Sequence, residues 1–367
     1  MKFTCEKALL VSALSVAGRT VSPKSTIPCL EGILLRAGVG ISLTGFNLET
    51  GITVKVGAAV TEAGACVMPA RLFFDIVRKL PDEEVTVTVD DKLQVSIRGG
   101  ASSFTITAMD AEDYPELPDV NAEKGISMPQ SALREMIGGT IFSVSENQAR
   151  PIHTGCLMEV SDSTITMVAV DSFRLARRTW HAEEPIEREL KFVVPATGLR
   201  EVEKILTDTD DKVTFLLGTK HILFTIGDAT LVCRILEGEF IDWRRVVPTN
   251  SETILTANVA ELTASIERVS LIVSEKIKSP VRCVFGENVA DLRTINTIGS
   301  AHDTCPVAGN GGELEIGFNC RYLLDALRAV PSEVVTLELK NGLSPIVFTP
   351  VDDKKDFAYM VLPVRLH

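Results

Sequence analysis

The sequence predicts an α+β chain made of three tandem copies of one domain, each with two helices packed on antiparallel sheets. Three observations carry this. The order strand, amphipathic helix, then two or three strands recurs from Met68-Pro69-Ala70-Arg71, Val194-Pro195-Ala196-Thr197 and Phe318-Asn319-Cys320-Arg321. Arg71, Thr197 and Arg321 lie 126 and 124 residues apart, and a second landmark, Asn47, Asp171 and Asn296, keeps the period at 124 and 125. Linkers fall where such a repeat puts them, at Tyr114-Pro115-Glu116-Leu117-Pro118 and from Phe240 to Pro248, and the chain ends from Ala358 to His367 in the equivalent place. The expected domains are 1–120, 121–248 and 249–367.

Within the first repeat, residues 6–18 and 70–80 carry apolar side chains at helical spacing, while Val85–Val89, Leu93–Ile97 and Phe104–Ile106 alternate apolar and polar. Alternation of that kind marks half-buried antiparallel strands. The second repeat places its helices at 130–142 and 196–206, the third at 257–272 and 320–330. Each repeat is expected to hold two helices and about six to eight strands.

A chain of 367 residues with 45% hydrophobic and 23% charged residues has the size for two or three cores. It shows no run near the ~18 apolar residues of a membrane span, and its first residues lack the apolar stretch of a secretory signal. The expected location is therefore the cytoplasm, without membrane contact. The eight cysteines are scattered without a Cys-x-x-Cys pair, mostly inside apolar runs, and read as reduced, buried thiols. The five histidines show no metal-ligand spacing, so neither a metal nor another cofactor is expected.

A net charge of −12 argues against a nucleic-acid partner unless the cations are clustered, and 5% aromatic residues argue against single-strand binding by stacked bases. Arg71, Asp75 and Arg78 share one helix face, and Arg321, Asp325 and Arg328 repeat the spacing; Thr197, Glu201 and Lys204 keep it in weaker form. Such a stripe also suits a solvated helix face with intrahelical pairs. Its recurrence in every repeat fits a surface turned toward one common partner. Arg134 and Arg268 add to it from the first helices of their repeats. Acidic runs such as Asp82-Glu83-Glu84 and Asp208 through Asp211 fall mostly in turns, which leaves room for a locally positive face.

The residues Met1-Lys2-Phe3-Thr4, Pro69-Ala70-Arg71, Asp171-Ser172-Phe173-Arg174-Leu175-Ala176, Asp242-Trp243-Arg244-Arg245-Val246, Glu315-Ile316-Gly317-Phe318-Asn319 and Tyr359 through Leu366 resemble, in order and spacing, the β subunits of bacterial DNA polymerase III, the sliding clamps. The resemblance covers essentially the whole chain. It implies a head-to-tail homodimer closed into a ring around double-stranded DNA, without sequence preference, with helices lining the hole. The DNA-facing cations would be Lys24, Arg71, Arg78, Arg134, Arg150, Arg200, Lys204, Arg268, Arg321 and Arg328. Phe104 and Ile106 would meet Leu271 and Ile272 of the second copy, although all four also suit the cores of their own domains.

The same resemblance implies a cleft between the second and third domains. There, short linear motifs of the replicative polymerase α subunit, the clamp loader, other polymerases and mismatch-repair proteins would dock. By position its wall is His153, Thr154, Gly155, Val170, Ser172, Phe173, Arg174, Leu175, Ile241, Arg245, Val246, Ile277, Asn319, Tyr322, Leu343, Pro345, Met360, Val361, Leu362, Pro363, Val364, Arg365 and Leu366. Apolar members would provide affinity, and Arg174, Arg245 and Arg365 would hold carbonyls or an acidic motif residue. Val361, Leu362, Val364 and Leu366 equally suit a last strand packed on the core. The chain departs from the family where Pro151, Ile152 and His153 follow Arg150, where Ala196 and Thr197 begin a helix, and where His367 extends the end.

No catalytic residues are expected. The chain lacks a Walker-type phosphate loop, and Gly309-Asn310-Gly311-Gly312 is a turn rather than a dinucleotide fingerprint. A scaffold that never touches DNA is the rival favoured by the acidic total charge.

Overall fold

The computed structural model describes residues 1–81, 83–121, 124–274, 279–352 and 356–366. They form two compact units, each discontinuous in sequence: Met1–Leu133 with Gly198–Ile235, and Arg134–Thr197 with everything from Leu236 onward. The middle third of the sequence thus divides between them.

Six helices occupy the expected windows: α1 Lys7–Ala17, α2 Ala70–Lys79, α3 Gln130–Gly138, α4 Ala196–Ile205, α5 Val259–Val269 and α6 Cys320–Arg328. All six are shorter than those windows, α3 and α5 by the most, at four and five residues. Asn258 starts α5 by accepting a hydrogen bond from the Glu261 amide, as an N-cap side chain does. Beyond α3, the Thr140 hydroxyl donates to the Met136 carbonyl at 2.8 Å and the chain passes into a tight turn over Ile141–Ser143. The buried faces repeat residue for residue. In α1, Leu10, Ala13, Leu14 and Ala17 face inward, matched in α5 by Leu262, Ser265, Ile266 and Val269. Phe73, Ile76 and Val77 of α2 are matched by Leu323, Ala326 and Leu327 of α6. This is the i, i+3, i+4, i+7 stripe that lets a helix bury one side.

Strands number nine, eight and eight across the three expected domains among the described residues. The ninth is Ala59–Glu62, a short edge strand paired with Lys2–Glu6. Leu93, expected at the start of a strand, instead has φ 59° in the turn before Gln94–Gly99, where the Asp90 carboxylate accepts from the Lys92 and Gln94 amides.

In the first unit, five strands form one sheet and eight form another, the eight running through the join of Ala229–Arg234 with Thr50–Val56. In the second, a chain of twelve strands includes the join of Arg174–His181 with Phe357–Val361. Strands of the middle repeat therefore cover edges that its neighbours would otherwise leave open. Ser102–Thr107 stays at the end of its five-stranded sheet, with one edge unpaired.

The sequence landmark at Asn47, Asp171 and Asn296 has a physical cause. Each side chain sits at a hairpin turn and accepts two backbone amides, Glu49 and Thr50, Phe173 and Arg174, or Ile298 and Gly299. Asn and Asp are favoured in such turns because their short acceptor replaces a backbone one. Thr50 is buried whereas Ile298 is exposed. Asn47→Ala should therefore cost about 1–2 kcal/mol in urea denaturation, and Asn296→Ala less than about 1 kcal/mol, because water can reach its amides.

All eight cysteines are free, and seven are buried. Burial pushes the Cys233 and Cys283 thiols up to about 12, so both stay protonated at neutral pH. Cys320 alone is half exposed, at the start of α6.

Candidate partner-binding cleft

The turn Asp171–Arg174 in the second unit organises the site. Its Asx geometry holds Phe173 outward, 54% exposed, while the ring stacks on Tyr322 of α6 with centroids 5.8 Å apart. Arg174 points the other way and is held from three sides. Its Nε donates to Asp171 Oδ2 at 3.0 Å, its Nη1 to Asp325 Oδ2 at 2.6 Å, and its guanidinium lies over the Tyr322 ring at 4.5 Å. The Arg174 side chain is only 10% exposed. Two carboxylates compensate the hydration that this enclosed positive charge gives up.

This network corrects two expectations. Arg174 has its charge committed and serves as a strut that fixes Tyr322 and α6, rather than as a free donor to a ligand. Asp325 belongs to that strut, so the third repeat does not copy the Arg71, Asp75, Arg78 face. Arg78 pairs with Asp75 at 3.1 Å on its own helix, whereas Arg328 reaches Glu267 of α5 at 2.7 Å.

Two cavities flank the turn. One, of 780 Å³, is lined by Val273, Ser274, Ser279, Pro280, Asn319, Cys320, Arg321, Tyr322 and Val364. The other, of 350 Å³, is lined by Ser145, Asn147, Arg150, His153, Val170, Asp171, Ser172 and Ile241. The end of the chain closes over the first. Leu362 donates its amide to the Phe173 carbonyl and Val364 to the Gly317 carbonyl, each at 2.8 Å. A Cβ on Gly317 would lie 2.5 Å from Leu366, so glycine there lets the tail approach.

The expected wall residues divide by exposure. Gly155, Val170, Leu175, Met360 and Val361 are buried. Val170, Leu175 and Met360 share one core cluster with Phe240, Trp243 and Val347 and form a floor. Phe173, Val246, Leu343, Leu362 and Val364 are large apolar side chains left open, Leu343 at 81%. Ser172, Arg245 and Arg365 are exposed, and His153, Thr154, Ile241, Asn319, Tyr322, Pro345, Pro363 and Leu366 are half-buried. Arg245 pairs with Asp242 at 3.0 Å in a solvent-exposed contact. Of the tail, Val361 is core while Leu362 and Val364 are surface, which separates the strand from the docking candidates. Ile277 lies outside the described residues, as does His367. Sequence reasoning did not single out Ser145, Asn147, Asp171, Asp325, Val273 or Cys320 as site residues; Asp171 joins through its own turn at Phe173 and Arg174, whereas Asp325 joins through Arg174, 151 residues away.

Three family profiles match in tandem: DNA polymerase III beta subunit, N-terminal domain, over residues 1–118; the central domain over 127–242; and the C-terminal domain over 244–365. A beta sliding clamp of Staphylococcus epidermidis is 31% identical over the full length of both chains.

The chain belongs to the DNA polymerase III beta subunit family.

Whole-chain structural likeness agrees. A DNA polymerase sliding clamp from Bacillus subtilis matches with TM-score 0.96 at 29% identity, and a putative DNA polymerase III beta subunit from Eubacterium rectale with TM-score 0.95 at 30%. Both matches cover 100% of each chain. In this beta-subunit chain the ten candidate DNA-facing cations are all exposed. Arg78, Lys204, Arg268 and Arg328 pair with Asp75, Glu201, Asp303 and Glu267. Lys24, Arg71, Arg134, Arg150, Arg200 and Arg321 have no ion-pair partner among the described residues. Arg150, expected to face DNA, lines the smaller cavity beside His153 and Ile241. Phe104 is 40% exposed and Leu271 83%, with Ile106 and Ile272 half-buried. No helix among the described residues is long and apolar enough to cross a membrane.

Proposed function

We propose that this beta-subunit chain acts as a DNA sliding clamp without chemistry of its own. Two copies close head to tail around duplex DNA, and the cleft beside Phe173 holds the enzymes that need tethering. The observation that carries this is the likeness over 100% of both chains to a DNA polymerase sliding clamp. Reading 1–120, 121–248 and 249–367 as three functional clamp domains follows from the same likeness and the sequence repeat.

Charge supports enclosure over grip. A net charge of −12 leaves little general attraction for phosphate, but Arg71 on α2, Arg134 on α3, Arg200 on α4 and Arg321 on α6 keep exposed guanidinium groups free of ion pairs among the described residues. A few weak phosphate contacts let a topologically held protein slide, whereas many would pin it. The occupants of the cleft are short linear motifs of the replicative polymerase α subunit, clamp loader, other polymerases and mismatch-repair proteins. Exposed apolar Phe173, Val246, Leu343, Leu362 and Val364 provide the anchoring surface. Work on chromosomal DNA places the protein in the cytoplasm, at the nucleoid.

Topology provides the test. Protein loaded onto nicked circular plasmid should co-elute with it through gel filtration in moderate salt, and nearly all of it should be lost after a single linearising cut. Equal retention on circular and linear DNA would sink the ring and favour a scaffold that binds by contact alone.

A further inference from the structure

The linker from Phe240 to Pro248 carries three of the expected wall residues, Ile241, Arg245 and Val246, yet its regular structure is one three-residue turn, Trp243–Arg245. Within it the chain bonds to itself. The Arg245 amide donates to the Asp242 carbonyl at 3.1 Å, and the Val246 and Val247 amides donate to the Trp243 carbonyl at 3.1 and 3.2 Å. Where Val246 stands therefore depends on where Trp243 stands. A turn this short does not fix its own position on the sheet beneath it.

One carboxylate, 84 residues away, ties Trp243 down. Glu159 lies on the strand Gly155–Ser161, two residues beyond Leu157, so both side chains point to one face of the sheet. Leu157, Val168 and Leu175 share a buried cluster with Trp243. At its rim Glu159 accepts the indole N–H of Trp243 at 3.2 Å and Arg244 Nη2 at 2.8 Å. The Arg244 guanidinium covers the indole 4.3 Å from its centre, and that of Arg177, two residues beyond Leu175, lies 5.6 Å from it. Lys191, directly opposite Glu159 on the neighbouring strand, adds a contact at 3.4 Å. Burial raises the Glu159 carboxyl, but hydrogen bonds from Arg244 and Trp243 and the charges of Arg244 and Lys191 outweigh it and hold the group below its usual range. The Glu159 side chain is 12% exposed, which shields its charge-assisted bonds from water.

We propose that Glu159 is a positioning residue for peptide docking: by gripping Trp243 and Arg244 it sets the place of Ile241 and Val246 in the cleft wall without touching the ligand. This rests on the cleft being the docking site and adds what holds one of its walls ready. The two neighbouring arginines divide accordingly, Arg244 going to Glu159 while Arg245 stays 87% exposed. A wall fixed beforehand need not be ordered by the peptide, so less conformational entropy opposes binding.

A fluorescein-labelled heptapeptide with a Leu-Phe anchor pair, titrated against the full chain by fluorescence anisotropy, tests it. Glu159→Gln keeps the shape, removes the charge and should weaken binding about tenfold. Truncating the wall with Ile241→Ala and Val246→Ala together should also weaken binding. Glu159→Gln added to that pair should cost less than twofold more, because the side chains it positions are gone. A second readout separates positioning from general loosening. In a Trp180→Phe background Trp243 is the one indole left, and Glu159→Gln should move its emission to longer wavelength and open it to acrylamide quenching. The proposal is overturned if Glu159→Gln leaves the affinity within twofold, if its full penalty persists after the wall is truncated, or if Trp243 emission does not respond. Failure of the cleft reading looks different: the unsubstituted chain binds no such peptide although Trp243 emission still shifts, and the docking role of Glu159 falls with it.

Discussion

Leu271→Asp should raise the dimer dissociation constant by about 100-fold or more, equivalent to roughly 3 kcal/mol. Phe104→Asp should do the same from the other side of the interface. Leu271 lies just beyond α5 and is 83% exposed, so its own chain does little to bury it. Phe104 stands opposite Ile97 across its hairpin, and Ile97 is fully buried. The phenyl ring therefore lies on the core-facing side of the sheet, at the last strand, where no further strand of its own sheet covers it. A second copy laid along this edge would bury both side chains. A carboxylate there would lose its hydration without gaining a partner. In a head-to-tail dimer each substitution occurs at both interfaces, so its effect on closure doubles. Sedimentation velocity across a dilution series reads the shift, and circular dichroism checks that the monomer is folded. A dimer constant unchanged by both substitutions would show that these residues do not meet. Peptide docking should survive in the monomer, because the cleft is built within one chain.

Arg174→Ala should lower the unfolding free energy of the second unit by about 3 kcal/mol, at the lower end for breaking a buried pair. The lower end applies because Asp171 and Asp325 keep side-chain exposures of 14% and 23% and can recruit some water. The loss has three parts: two carboxylates left without their common counter-ion, and an aromatic ring left without the cation above it. Docking should fail as well, because Tyr322 and Phe173 lose the strut that sets their stacking. Arg174→Lys should recover only part of the stability, since an ammonium cannot bridge Asp171 and Asp325 with the same planar fork. Urea denaturation followed by tryptophan emission measures this, with Trp180 and Trp243 as reporters in the same unit. A loss under about 1 kcal/mol would mean the network is ornamental, as exposed ion pairs often are.

Much of this molecule follows from short-range pattern. The six helices sit in the windows that their apolar spacing marks, and the period near 125 is physically the recurrence of one Asx turn and of matched buried faces such as Phe73, Ile76, Val77 and Leu323, Ala326, Leu327. Periodicity reveals these because helices and hairpins are set by residues within a turn or two of each other.

Tertiary structure alone decided where the charges are spent. Asp325 has the helical spacing to pair with Arg321 or Arg328, yet its oxygen goes to Arg174, 151 residues away. The smaller cavity beside the Asp171–Arg174 turn gathers residues from three separated segments, 145–153, 170–172 and 241. The tail divides into buried Val361 and open Leu362 only because one residue falls inside the last strand pairing and the next falls beyond it. Spacing along a helix determines which side chains share a face, but the partner an ion takes depends on which neighbour the packed sheets and helices bring within reach.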